Sequence, residues 1–328
     1  MQSLDLRVLM DALHWRQTGF AVSLITVMET WGSAPRPPGA MLALRSDGLV
    51  SGSVSGGCVE DDLIARARAT LSLKSPTKTT APALITYGVT KDEAARFGLP
   101  CGGTLRLLQE YLVDTDWLVE LLGRIQNHEL VARTVTLATG SVTLKTAQRG
   151  QSMVFDGQVL TCAYGPQWRL LLIGAGQLSQ AVAHIALLLD FEVLVCDPRE
   201  EYAHAMVASL PAVRWADGMP DDAVRALQAD AHTAIVALTH DPKLDDMALL
   251  EALQSQAFYV GALGSRRNQA TRRERLSTHF GLTRADLSRL HGPVGLDIGA
   301  KTPAEIAISI VAEIVQAKCQ STQIASAL

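Results

Sequence analysis

Two cysteines beside glycine pairs, a glycine turn with an acid downstream, and a few isolated arginines are the residues whose types and spacing could do chemistry. Cys58 stands in Gly52-Ser53-Val54-Ser55-Gly56-Gly57-Cys58-Val59-Glu60. An apolar strand leads into this run, and helical spacing leads out of it, with Leu63, Ala67 and Thr70 on one side. Cys58 therefore sits at a glycine-rich strand-to-helix turn. Gly56 and Gly57 leave room for a ligand to touch the backbone. A helix N-terminus favours the thiolate and lowers a thiol pKa from its free value of about 8.5. A cysteine so placed is a candidate nucleophile or soft-metal ligand; a small residue filling a packed turn is the plain alternative. Cys101, in Pro100-Cys101-Gly102-Gly103 ahead of the apolar run Thr104 to Leu108, repeats the design. The two cysteines are 43 residues apart, which is no zinc-finger spacing. Two loops of one design in one domain suggest a single cleft faced by both. Cys58 is the first choice for a reactive thiol, and Cys101 for a second ligand or a sulfur relay. Two buried fillers are the alternative.

The second group of residues suits phosphate. In Arg169-Leu-Leu-Leu-Ile-Gly174-Ala-Gly176-Gln-Leu-Ser179 an apolar run meets a Gly-Ala-Gly turn and then helical spacing at Leu178, Val182, Ile185 and Leu189. Such a unit sets backbone N–H groups and a helix N-terminus against an anion. Asp197 lies 23 residues after Gly174, near the spacing of the ribose-binding acid in dinucleotide folds. Ser179 holds the place of the fingerprint's third glycine and is small enough for close packing, which weakens NAD as the ligand but not the fold. Arg199 could reach a phosphate or pair with Glu200. His240 and Asp241 end another β-rich run, where acid–base work or simple helix capping are both open. Gly264 and Ser265 lead from a further strand into Arg266 and Arg267, which could neutralise a phosphate; Arg272, Arg273 and Arg275 read as a solvated helix face. Arg36 projects from Trp31-Gly-Ser-Ala-Pro-Arg36-Pro-Pro-Gly-Ala40, where three prolines stiffen the loop and lower the entropy lost on clamping a ligand; a rigid strand connection is the alternative.

These residues need two kinds of scaffold. From residue 170 onward, apolar runs alternate with helical patterns, the mark of a parallel sheet with helices on both faces. Before it, strands pair as hairpins around Thr139-Gly140 and Asp156-Gly157 and mix with amphipathic helices such as Leu6, Leu9, Met10 and Leu13. The fold class is α/β: an N-terminal α+β domain over 1–160, then a Rossmann-like doubly wound parallel-sheet domain over 161–328, with an exposed junction expected between about 150 and 168. A chain of 328 residues with 48% hydrophobic content has material for two cores. A net charge of −4 argues against a general nucleic-acid binder. No apolar run reaches the roughly 18 residues of a membrane span, and no signal peptide is visible. Five cysteines without a C-x-x-C pair fit free thiols in a reducing cytoplasm. Cys162 alternates within a strand and reads as core.

Four stretches together carry a resemblance: Gly52 to Glu60, Pro100 to Gly103, Gly261 to Arg267, and Gly295-Leu-Asp-Ile-Gly299 with its Pro303-Ala-Glu-Ile-Ala307 helix. Over nearly its whole length the chain resembles the XdhC/CoxI family of accessory factors for molybdenum hydroxylases. The resemblance implies a cytoplasmic chaperone that binds the molybdenum cofactor, promotes exchange of an oxo for a sulfido ligand with a cysteine desulfurase, and helps insert the cofactor into an apo molybdenum hydroxylase of the xanthine dehydrogenase or aldehyde oxidoreductase type. Trp31 to Met41 is similar to the branch serving aldehyde oxidoreductases, so the cofactor expected is molybdopterin or its cytosine dinucleotide. A cofactor nucleotidyltransferase is a further expected partner, and a homodimer the expected assembly. Under this resemblance Arg36, Gly56, Gly57, Gly102, Gly103, Gly174, Gly176, Asp197, Arg199, His240, Asp241, Gly264, Ser265, Arg266 and Arg267 are the cofactor-binding candidates. Cys58 and Cys101 are the candidate molybdenum ligands. Two other classes stand beside it: an NAD(P)-dependent oxidoreductase with His240 as acid–base residue, and a nucleotide-sensing module without chemistry.

Overall fold

A computed structural model describes residues 4–31, 36–71, 81–88, 104–148 and 151–326. These form two compact units, Ser3–Pro166 and Gln167–Leu328. The first opens with α1 (Leu4–Gln17), followed by β1 (Val22–Trp31), β2 (Met41–Arg45), β3 (Val50–Gly52), α2 (Cys58–Leu71), β4 (Ala83–Tyr87), β5 (Thr104–Tyr111) and α3 (Asp116–Gln126). The strands make an antiparallel sheet in the order β3-β2-β1-β5-β4. The first seven residues of β1 are buried without a break, because helices cover both faces. Leu24 packs with α1 and α3, and its neighbour Ile25 packs with Val59 and Leu63 of α2; successive strand residues point to opposite faces. A second antiparallel sheet, β7-β6-β9-β8, is built from β6 (Val131–Thr136), β7 (Val142–Thr146), β8 (Val154–Phe155) and β9 (Val159–Tyr164). Met28 and Leu108 pack against Val135, Leu160 and Cys162, joining the two sheets. A buried Glu110–Arg133 ion pair crosses the same junction, its guanidinium 4.1 Å from the Trp117 ring centre.

The second unit alternates strand and helix: β10 (Arg169–Ile173), α4 (Gln177–Leu188), β11 (Glu192–Cys196), α5 (Glu200–Ser209), β12 (Arg214–Trp215), α6 (Pro220–Leu227), β13 (Thr233–Ala237), α7 (Pro242–Gln254), β14 (Tyr259–Ala262), α8 (Arg266–Phe280), α9 (Arg284–Ser288), β15 (Leu290–His291) and α10 (Pro303–Ser326). All six strands are parallel, in the order β12-β11-β10-β13-β14-β15. This is the doubly wound, Rossmann-like sheet, with its order reversing between β10 and β13. Leu170 and Leu172 face the layer of α4 and α10. Leu171 and Ile173 face the opposite layer, built from α6, α7 and α8. Burial on both faces is why β10 is apolar throughout.

One surface expectation is overturned here. Arg272 is only 6% exposed; it bonds Asp245, Asp246 and the Leu263 carbonyl. Arg273 donates to the carbonyls of Leu287 and Leu290, and Arg275 to Asp246. Carboxylates on α7 and carbonyls of α9, of β15 and of the loop after β14 draw these side chains inward. No helix among the described residues is long and apolar enough to cross a membrane.

Candidate functional site

The glycine-rich run before α2 closes on a residue that motif reading did not single out. One oxygen of Glu60 accepts the backbone N–H groups of Val54 and Ser55 at 2.8 Å, that of Gly56 at 3.2 Å and the Ser53 hydroxyl at 2.7 Å. The other accepts the Gly57 N–H at 2.8 Å and the Ser55 hydroxyl. Burial opposes this charge. The hydroxyls of Ser55 and Ser53 and the N–H groups of Ser55 and Val54 outweigh it, and hold the carboxyl down to about 2. The sequence does carry a sign of this: Glu60 is the third helical residue after Gly57, the capping-box position. The loop is thus a ready anion cradle filled by the protein's own carboxylate. The N–H groups of Val54, Ser55, Gly56 and Gly57, just before Cys58, are committed to Glu60. Cys58 opens α2 as expected, and its side chain lies outside what the structure describes; Cys101, Gly102 and Gly103 lie outside the described residues. Cys162 and Cys196 are unsuited to nucleophilic work: burial pushes Cys162 up to about 11, and burial with the nearby Asp197 charge pushes Cys196 up to about 12.

Arg36 lines a half-open cavity of about 340 Å³ in the same unit, with Pro37, Pro38 and Gly39 on its own loop and Cys162, Ala163 and Tyr164 on β9. Its Nε donates to the Ser53 carbonyl at 3.2 Å. Arg36 therefore ties the cavity to the loop that carries Cys58.

In the second unit the candidates gather at the carboxyl ends of the parallel strands, where ligands sit in such sheets. A Cβ on Gly174 would lie 3.1 Å from the Thr239 backbone, and φ there is +103°, so close approach of β10 and the β13 exit requires glycine. Gly176 is different: it caps α4 without a side chain, and nothing lies within 4 Å of the space a Cβ would take. This is an open cradle at a helix N-terminus. Asp197 is turned inward. One oxygen accepts the Ala175 N–H at 2.8 Å, and Arg199 grips the carboxylate with Nε and Nη2 at 2.8 and 2.7 Å. Burial works against its charge; the Arg199 guanidinium and the Ala175 N–H hold its pKa below the usual range. Arg199 thus pairs with Asp197. Asp241 caps α7 through the Lys243 N–H at 2.8 Å. His240 is exposed on a backbone with φ of +62°, a conformation that non-glycine residues seldom hold without a reason. Ser265 caps α8 through the Asn268 N–H. Arg266 and Arg267 are exposed at its first turn, and Arg266 meets the equally exposed Asp297 at 3.4 Å. Among the described residues no group of three or more His, Cys, Asp or Glu side chains could hold a metal ion.

The glycine pair yields a contrast that can be measured. Gly174→Ala is expected to destabilise the second unit by more than about 1 kcal/mol. Gly176→Ala, at an allowed φ of −70° in open space, is expected to leave melting unchanged and to weaken any phosphate-bearing ligand that approaches the turn. Unchanged dinucleotide affinity in folded Gly176→Ala protein would remove this turn as a site.

Comparison with known proteins agrees with this architecture. Residues 170–314 match the family model described as the XdhC Rossmann domain, and residues 15–88 match that of the XdhC and CoxI family. The fold and both matches define an XdhC-type protein, with a Rossmann unit behind a family-specific N-terminal unit. The chain belongs to the XdhC and CoxI family. It is 27% identical over 316 residues to the molybdenum cofactor insertion chaperone PaoD of Escherichia coli, covering 94% of this chain and 86% of that protein. It is 29% identical over 320 residues to a probable xanthine dehydrogenase subunit of Bacillus subtilis, covering 90% and 92% respectively. A crystal structure described as a xanthine dehydrogenase from Bacillus halodurans shares the fold, with a TM-score of 0.76 at 24% identity over 98% of this chain and 96% of that one.

Proposed function

We propose that this protein binds the molybdenum cofactor, supports its sulfuration with a cysteine desulfurase, and hands it to an apo molybdenum hydroxylase. The observation that carries the reading is the nearly full-length likeness to a molybdenum cofactor insertion chaperone. The residues present fit such a group. Gly176 offers an open cradle for a phosphate or pyrophosphate, and Arg199, whose Nη1 is left over from the Asp197 grip, adds charge beside it. The cofactor brings its metal already chelated by its own dithiolene, so no protein cluster of metal ligands is needed. A single soft ligand suffices, and Cys58 is the candidate. Arg266 and Arg267 are second candidates for the phosphate end. The cytosine dinucleotide form and an aldehyde oxidoreductase client follow from the Trp31 to Met41 stretch. A nucleotidyltransferase partner and a homodimer belong to the same reading, the latter checked by light scattering. An NAD(P) enzyme is disfavoured, since both oxygens of Asp197 are already bonded within the protein.

The test is to purify the chain from cells that make the cofactor and to measure molybdenum and pterin. The parent is expected to carry both, Cys58→Ser to carry less molybdenum, and client activation to fall with it. A parent holding neither pterin nor molybdenum overturns the proposal. If Cys58→Ser and Cys101→Ser both bind cofactor and activate the client as the parent does, the thiols have no role. Hydride transfer from NAD(P)H to a carbonyl would instead favour the oxidoreductase.

A further inference from the structure

We infer that the cavity beside Arg36 is a seat for a flat nitrogen heterocycle of the pterin class, held by the open edge of β9 and by the Arg36 guanidinium. The inference rests on the function proposed above and assigns the ring of the cofactor to the first unit. Three consecutive residues of one strand, Cys162, Ala163 and Tyr164, line the cavity. Side chains along a strand alternate between faces, so no single face presents all three, and the backbone of β9 itself forms part of the wall. On that edge β8 pairs only with Leu160 and Thr161. On the other edge β6 pairs with β9 as far as Tyr164. From Cys162 onward the outer edge of β9 therefore has no strand partner among the described residues. On that stretch Ala163 turns its N–H and C=O outward, since alternate residues of an antiparallel strand serve alternate edges and Gln158 already faces β6 through the Leu137 N–H. Gln151 and Met153 flank it in the cavity wall, and such an edge can bind a ligand by added pairing. A pterin carries a lactam and an amino group in one plane, a donor–acceptor row of the same kind as a peptide edge.

The rest of the lining selects for a ring rather than for a bare anion. Asp5 shares the cavity with Arg36, and an acid opposite an arginine does not favour phosphate. The volume of about 340 Å³ lies at the low end of the roughly 300–1,000 Å³ of small-molecule sites; it admits a fused ring system and is too small to enclose a whole dinucleotide. Proline stiffness at positions 37 and 38 gives the slot a fixed wall. The bond from Arg36 Nε to the Ser53 carbonyl fixes the guanidinium. No ion-pair partner among the described residues takes its terminal nitrogens, which leaves them for a ring carbonyl or another acceptor of the ligand. Because Ser53 also donates to Glu60, a ring on Arg36 is linked by two hydrogen bonds to the loop before Cys58.

The experiment titrates the full chain with unsubstituted pterin, followed by its fluorescence, and repeats the titration with inorganic pyrophosphate as competitor. Saturable pterin binding is expected, insensitive to pyrophosphate and about tenfold weaker in Arg36→Ala, the scale of one charge-assisted hydrogen bond. Arg36→Lys, which keeps the charge and loses the fork, should also weaken it. Circular dichroism confirms that the variants fold. Pterin affinity unchanged in folded Arg36→Ala, no pterin binding by the parent, or competition by pyrophosphate at the same strength each overturns the inference. Failure of the chaperone proposal reads out separately: a chain that copurifies without molybdenum can still bind pterin at Arg36, and a chain loaded with cofactor can still ignore Arg36→Ala.

Discussion

Glu60→Ala is expected to cost the first unit about 3–5 kcal/mol, the range for removing one partner from a buried charged cluster. The carboxylate gathers four backbone N–H groups and two hydroxyls. Each buried donor left unpaired costs about 1–3 kcal/mol; water at the exposed Gly56 and Gly57 returns part of that. Glu60→Gln is expected to be nearly as damaging, because an amide loses one acceptor oxygen and turns an NH₂ group toward other donors. The acid limb of stability gives an independent check. The folded pKa of Glu60 is about 2 against an ordinary 4.5, so the unfolded chain binds the proton first. Stability from this group is fully present above pH 4.5 and is lost as pH falls toward 2. The shift amounts to roughly 3 kcal/mol. Parent and Glu60→Ala should therefore differ widely at about pH 7 and converge near pH 2. Hydrogen exchange over residues 41–71 measures both. Equal protection of parent and variant at neutral pH would show that the loop does not depend on this carboxylate.

What can be read from the sequence, and what cannot, divides along sequence distance. The strand Leu170–Ile173 is legible because burial on both faces leaves no polar position, and the Gly174 turn because only glycine tolerates both its φ and the nearness of Thr239. The hairpins at Gly140 and Gly157 are legible from their own turn residues. Arg199 is half legible: its neighbour Glu200 looks like a partner, but Glu200 starts α5, whereas Asp197 stands at the strand end within reach of the Arg199 fork. The cavity is not legible. It needs Pro37 and Tyr164 together, residues that only the meeting of two sheets brings to one cavity. Arg272 looks solvated in the sequence for the same reason, since its partners lie 26 and 27 residues away on another helix.

Arg272→Ala is accordingly expected to cost about 3–5 kcal/mol, because it leaves Asp245 buried without its cation and Asp246 with Arg275 alone. Arg272 bonds Asp245 at 2.9 Å and Asp246 at 3.2 Å, and the Leu263 carbonyl at 3.0 Å. Asp245 in turn accepts the Thr239 N–H at 3.1 Å and its hydroxyl at 2.7 Å. One guanidinium thus ties α8 to α7 and, through Asp245, to the residue that presses on Gly174. The loops leaving β13 and β14 are held by the same set, so the cost should fall on the candidate nucleotide crevice. Burial already pushes the Asp245 carboxyl above its ordinary pKa, against the pull of the Thr239 hydroxyl and Arg272. Without Arg272 that shift must grow. The folded variant then binds more protons than its unfolded chain, so its stability falls as pH rises. The penalty should be smaller at about pH 5 than at about pH 8, the opposite sign to Glu60. Removing Asp245 as well does not restore the parent, since the Thr239 N–H loses its acceptor. Arg272→Lys keeps the charge but cannot span both carboxylates and the carbonyl, and should recover only part of the loss. Urea unfolding at the two pH values, with hydrogen exchange over 237–245 and 262–268, tests this. A loss in Arg272→Ala below about 1 kcal/mol at the higher pH, or one that grows toward the lower, would mean that the crevice is held by its backbone and not by this ion network.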